Sequence, residues 1–133
     1  MMEDNKNIIL DASALIALLG DEKGCEVVED LLPYAIMSSV NIAEVARFLV
    51  SASAMEIDKI QEVIDHLVPS TVPFDNKYAY ITANMLSQTK ALGLSLGDRA
   101  CLALAIITGY PVYTADKIWE KLEIENLKVH LIR

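Results

Sequence analysis

Asn7-Ile8-Ile9-Leu10-Asp11-Ala12-Ser13-Ala14-Leu15-Ile16-Ala17-Leu18-Leu19-Gly20 is the stretch that decides the fold. Its opening is short, apolar and β-branched, which predicts a buried strand. Past Asp11 the composition turns to Ala and Leu, the strongest helix formers, until Gly20 offers a stop. A strand therefore runs directly into a helix.

The same alternation continues down the chain. A helix over 24–32 is stopped by Pro33, a strand follows over 34–37, and Ser38-Ser39 makes a good helix start before an apolar helix over 40–53. Ile57, Ile60, Val63, Ile64 and Leu67 recur at helical spacing, with Asp58, Lys59, Glu62 and Asp65 on the other face, giving a solvated outer helix. A weak strand over 71–74 contains Pro73, which places it near an edge or a strand end. Asp75 can cap one long helix over 76–92 closed by Gly93, and Ser95 or Asp98 opens a buried helix over 99–108. A strand over 111–114, a short helix over 115–121 and a strand over 127–132 complete the series. Strands separated by helices pair in parallel and carry the helices on both faces. The expected fold is a three-layer α/β/α domain with a mostly parallel sheet of about five strands, covering residues 1–133 as one domain, with the polar start over 1–7 as a frayed end.

Composition agrees. The chain is 53% hydrophobic and 23% charged, too apolar for disorder. Its net charge is −8, and its eleven Lys and Arg are scattered with no two adjacent, which excludes a broad basic surface of the kind that clamps duplex DNA. Cys25 and Cys101 lie far apart and form neither a CxxC pair nor a disulfide framework. An acidic start without a secretory signal and the lack of a long apolar run point to a cytoplasmic protein with no membrane partner.

In parallel sheets, sites form beyond the carboxyl ends of the strands. Asp11 ends the first strand, Asp116 follows the strand closing at Thr114, Asp98 stands at the start of a buried helix, and Glu44 lies one turn into another, three residues beyond Asn41. Each has a plain structural alternative: Asp11 and Asp98 as helix caps, Asp116 as a turn former, Glu44 as a partner of Arg47. Ser13 is a cap or an accessory group, and Thr114 is similar; Asn41 is a helix-surface residue, or it orients Glu44 or touches substrate. Arg99 and Lys117 are solvated or hold phosphate, and Trp119 is a packing anchor or a base-stacking platform. His66 and His130 have no ligand spacing and receive no catalytic role. As a group the acids are harder to dismiss, because Glu44 and Asp98 sit on helices otherwise built for burial. Buried acids must be neutralised, paired or bound to metal. Hard cations such as Mg²⁺ or Mn²⁺ suit carboxylates.

Four segments, Ile9-Leu10-Asp11-Ala12-Ser13-Ala14-Leu15, Ser38-Ser39-Val40-Asn41-Ile42-Ala43-Glu44-Val45, Leu94-Ser95-Leu96-Gly97-Asp98-Arg99-Ala100 and Val112-Tyr113-Thr114-Ala115-Asp116-Lys117, resemble in order and spacing the PIN-domain ribonucleases, above all the VapC-like toxins of toxin–antitoxin pairs. The resemblance implies a metal-dependent endoribonuclease in which Asp11, Glu44, Asp98 and Asp116 are catalytic and hold one or two Mg²⁺ or Mn²⁺ ions, with Ser13, Thr114 and Asn41 as accessory groups. It further implies RNA, transfer RNA included, as substrate, products with 5′ phosphate and 3′ hydroxyl ends, a cognate antitoxin that fills the acidic pocket with a basic side chain, and a homodimer formed through residues 40–67. Two rivals stand beside it: a catalytically silent PIN-like module that acts by protein–protein binding, and a phospho-acceptor receiver domain, in which Glu44 would have no role.

Overall fold

The computed structural model describes residues 6–133. Five strands, β1 (Ile8–Leu10), β2 (Ala35–Ser38), β3 (Ser70–Val72), β4 (Val112–Thr114) and β5 (Val129–Leu131), form one sheet in the order β3-β2-β1-β4-β5. Every neighbouring pair is parallel. The first strand lies between the second and the fourth, whereas in receiver-type sheets it lies between the second and the third. The receiver alternative is thereby removed. β3 is an edge strand, as Pro73 just after it foretells.

Seven α-helices are present among the described residues: α1 (Ala12–Leu19), α2 (Cys25–Leu31), α3 (Ser39–Ala52), α4 (Ile57–Leu67), α5 (Asn76–Asn84), α6 (Leu86–Thr89) and α7 (Leu96–Thr108). The pleat of β1 sorts them into layers. Ile8 and Leu10 join Val28 of α2, Val45 and Leu49 of α3 and Ile60 and Ile64 of α4 in one apolar cluster. Ile9 joins Met85, Leu102 and Leu104 of the other face in a second. Both faces of the sheet are thus covered, which is why its central strands read as unbroken apolar runs.

Four expectations shift in detail. The long helix over 76–92 is broken at Met85, and the buried Thr89 hydroxyl donates to the Met85 carbonyl at 2.9 Å; such back-bonding bends helices. The short helix over 115–121 is a 3₁₀ turn, Lys117–Lys121, whose start is capped by the Asp116 side chain accepting from the Ile118 amide. Helix α7 starts at Leu96, earlier than expected, and ends where Gly109 takes a φ of 77°, a left-handed conformation that costs other residues more. At the start of the chain, Asn7 donates to the Tyr110 hydroxyl at 3.4 Å and Lys6 sits 5.8 Å from the centre of the Tyr34 ring, so these two positions are not frayed; the rest of that expectation, over 1–5, lies outside the described residues.

Candidate active site

Parallel strands end together, so β1 and β4 deliver Asp11 and Thr114 side by side at one rim of the sheet. Asp11 occupies the N-cap position of α1, yet its side chain makes no capping bond. Its Oδ2 instead accepts the hydroxyls of Ser13, at 2.7 Å, and Thr114, at 2.9 Å. The cap reading fails for Ser13 as well, whose Oγ accepts the Ala115 amide at 3.0 Å and so ties α1 to the end of β4. Asp11 is only 3% exposed. Burial pushes its carboxyl up to about 6, the charges of Asp98 and Glu44 push the same way, and the two hydroxyls partly offset them.

The other three acids arrive from three different elements. Glu44, one turn into α3, has Oε1 held by Asn41 Nδ2 at 2.9 Å. Asn41 also donates to the Gly97 carbonyl of α7 at 3.0 Å and is fully buried, which overturns its reading as a helix-surface residue. Glycine at 97 leaves the space the Glu44 carboxylate occupies, since a Cβ there would collide with it and make it move. Asp98 takes part in a capping box with Ser95: its Oδ2 accepts the Ser95 amide at 2.9 Å, while Ser95 Oγ accepts the Asp98 amide at 3.2 Å. The cap role expected of it is real, and so is its place at the pocket. Asp116 caps the 3₁₀ turn through Oδ1, and its own amide donates to Thr114 Oγ1 at 3.1 Å.

All four acids, with Ser13, line one cavity of about 380 Å³. Among the described residues no group of three His, Cys, Asp or Glu side chains forms a ready-made cage for an ion. The acids stand around the cavity, each with one oxygen engaged by the protein. The chemistry of the set fits a hard cation: all donors are carboxylate oxygens, and Mg²⁺ commonly keeps several waters and needs only one or two carboxylates. Cys101 is buried on α7 near the same acids, and burial with their charge raises its thiol well above the ordinary range, so it offers no thiolate.

Neither Arg99 nor Lys117 lines the cavity. Arg99 turns its guanidinium to the Leu94 carbonyl at 3.1 Å, and Lys117 is exposed at the start of the 3₁₀ turn. Trp119 is fully buried in the second apolar cluster, which makes it the packing anchor and removes base stacking. His130 stacks on Tyr113 with ring centres 4.9 Å apart, and His66 lies outside the cavity. Sequence reasoning missed the wall supplied by α3: Arg47, Phe48 and Ser51 line the cavity beyond Glu44. Their spacing from Glu44, three, four and seven residues, is the signal that marks a shared helix face. Arg47 makes no ion pair with Glu44; among the described residues the ion pair formed is Arg133 with Glu22.

Solved structures of the same fold include the DNA-bound VapBC of Salmonella typhimurium, at TM-score 0.69 and 13% identity, covering 96% of this chain and 98% of that one. VapBC2 of Rickettsia felis bound to a promoter DNA fragment matches at TM-score 0.70 and 14% identity, covering 93% and 97% of the two chains. VapBC-5 of Mycobacterium tuberculosis, a toxin–antitoxin system, matches at TM-score 0.62 and 23% identity over 96% and 98%. No curated protein sequence matches the chain. The PIN domain family model matches residues 8–125, a span that takes in all four acids and every strand but β5. On that match, and with Asp11, Glu44, Asp98 and Asp116 gathered around one cavity of a parallel-sheet fold, the chain belongs to the PIN domain family.

Proposed function

We propose that the chain is a divalent-metal-dependent endoribonuclease, the toxin of a toxin–antitoxin pair. The observation that carries this reading is the gathering of Asp11, Glu44, Asp98 and Asp116, from four separate parts of the sequence, around one cavity at the sheet's carboxyl rim. These residues would hold one or two Mg²⁺ or Mn²⁺ ions. Such an ion, when bound, acidifies water and stabilises charge on the departing oxygen of a phosphodiester. The protein's own part is positioning. Ser13 and Thr114 fix Asp11 by one oxygen and leave the other toward the cavity, Asn41 holds Glu44 against Gly97, and backbone amides at two caps hold Asp98 and Asp116. No side-chain nucleophile is called for, since water attacks. Two divalent ions would also halve the net charge of −8, so metal supplies the attraction for phosphate that the side-chain composition lacks.

The toxin assignment draws support from the neighbours of like fold, which are VapBC complexes. In this reading a cognate antitoxin occupies the acidic pocket with a basic side chain, the protein works in the cytoplasm, and two copies pair through α3 and α4, where Val50 and Ile57 are left exposed. Among the described residues no helix is long and apolar enough to cross a membrane. The test is cleavage of single-stranded RNA and of transfer RNA by the purified protein with Mg²⁺ or Mn²⁺. Loss of cleavage in chelator and in Asp98→Asn is the expected result. Cleavage undiminished in that variant would refute the assignment, and a silent binding module would show no cleavage in either form.

A further inference from the structure

We propose that Arg47 is the substrate-binding residue of this site, holding a phosphate of single-stranded RNA next to the one that reacts; the inference rests on the nuclease reading above. Arg47 lies on α3 three residues beyond Glu44, so the two side chains share a face, about 4.5 Å apart along the helix axis. It lines the cavity together with the four acids, and no other Lys or Arg does. A cation in such company would ordinarily be drawn onto a carboxylate. Here Glu44 is held by Asn41 and pressed on Gly97, Asp98 and Asp116 are engaged by backbone amides, and Asp11 is buried behind two hydroxyls. Arg47 nevertheless makes no ion pair or hydrogen bond among the described residues. It is an exposed guanidinium in the mouth of an acidic pocket.

The chemistry of a guanidinium selects the ligand. Its planar fork matches the oxygens of a phosphate in a bidentate way. Phe48, half-buried, packs against the core and also lines the cavity, and Ser51 continues the same stripe. An aromatic and a hydroxyl beyond a phosphate-binding group form a track for one unpaired nucleotide. The eleven scattered basic residues provide no wider surface on which a duplex backbone could lie. The residues expected from sequence to touch phosphate, Arg99 and Lys117, leave this place to Arg47.

The experiment compares wild type, Arg47→Gln and Arg47→Lys on a fluorescein-labelled single-stranded RNA. Arg47→Gln should raise KM about tenfold with kcat changed less than about twofold, the pattern of a lost ground-state and transition-state contact alike. In an Asp98→Asn background, RNA binding by anisotropy should lose about one unit of slope in log K against log salt on adding Arg47→Gln, and Arg47→Lys should restore that slope. An unchanged KM and salt slope in Arg47→Gln, while wild type still cleaves RNA, would overturn the inference and leave the nuclease assignment standing. A loss confined to kcat would overturn it too, by moving Arg47 to the reacting phosphate. If wild type cleaves no RNA at all, both proposals fall together.

Discussion

Thr114, the last residue of β4, donates its hydroxyl to Asp11 just past the end of β1 at 2.9 Å, so two adjacent parallel strands are joined beyond their last ladder bond by a buried side-chain contact. A hydroxyl bonded to a carboxylate favours the ionised form. Replacing Thr114 by Val keeps the shape and removes that bond. The Asp11 carboxyl, already raised to about 6, should move further up, by about one unit for a charge-assisted bond of about 1.5 kcal/mol. Carboxyl ¹³C chemical shifts followed through a pH titration in chelator read this directly; a downward or absent shift would contradict it.

Asp11 itself should oppose folding at neutral pH when no metal is present. Its carboxyl titrates near 3.8 in an unfolded chain and at about 6 when folded, so the native state holds the proton more tightly. Below the lower value both states are protonated and there is no cost. Stability then falls as pH rises through the window between the two values, and above it the loss is constant at about 3 kcal/mol. Asp11→Asn should therefore melt several degrees higher than wild type at pH near 7.5 in chelator and lose that advantage at about pH 4. RNA cleavage by the same variant should drop by at least about a hundredfold. Thermal melts at the two pH values decide the point; an equal gain at both would show that charge is not the cause.

Adding a Cβ at Gly97 should disable the site without unfolding the protein. The new atom would lie 2.6 Å from Glu44 Cδ, and the carboxylate is the part able to move, since Gly97 belongs to the regular helix α7. Gly97→Ala should keep the far-ultraviolet circular dichroism of wild type, and the better helix propensity of alanine adds about 1 kcal/mol in its favour. Activity should fall by about ten- to a hundredfold, as expected when a carboxylate beside the reacting group is displaced by about an ångström. Full activity in a correctly folded Gly97→Ala would mean that the placement of Glu44 is immaterial.

In the proposed dimer, pairing through α3 and α4 would cover Val50, 56% exposed, and Ile57, 60% exposed. The double substitution Val50→Asp with Ile57→Asp should convert a dimer into a monomer on analytical ultracentrifugation, because charge buried at an interface core costs several kcal/mol. Neither side chain lines the acidic cavity. A dimer that survives both changes would direct attention to another face.

Much of this was legible in the chain itself, and the reasons are local. Ile8-Ile9-Leu10 ahead of Asp11, the apolar run of α7 and the helical spacing from Ile57 to Leu67 report periodicity, which depends only on neighbours in sequence. The positions of the acids relative to those elements follow at once. What stayed hidden depends on residues far away. Asn41 looks like any polar helix residue until the Gly97 carbonyl, 56 positions on, comes to meet it. Arg47 looks like the natural partner of Glu44, yet that carboxylate is held by Asn41 across the helix turn and the ion pair is not formed. The break at Met85 turns on the hydroxyl of Thr89 in a buried setting, and burial there cannot be read from the polar, small-residue pattern of 82–90.

The place of β1 has one more consequence. Its three residues are buried, it is flanked by β2 and β4, and the amides of Ile9 and Asp11 donate to Pro111 and Tyr113 at 2.9 and 3.0 Å. Amides at the centre of a sheet exchange with solvent deuterium only when the whole molecule opens. Asp11 is therefore carried by backbone whose amides should be among the slowest to exchange, so its place in the pocket should outlast local opening of the exposed turn that carries Asp116.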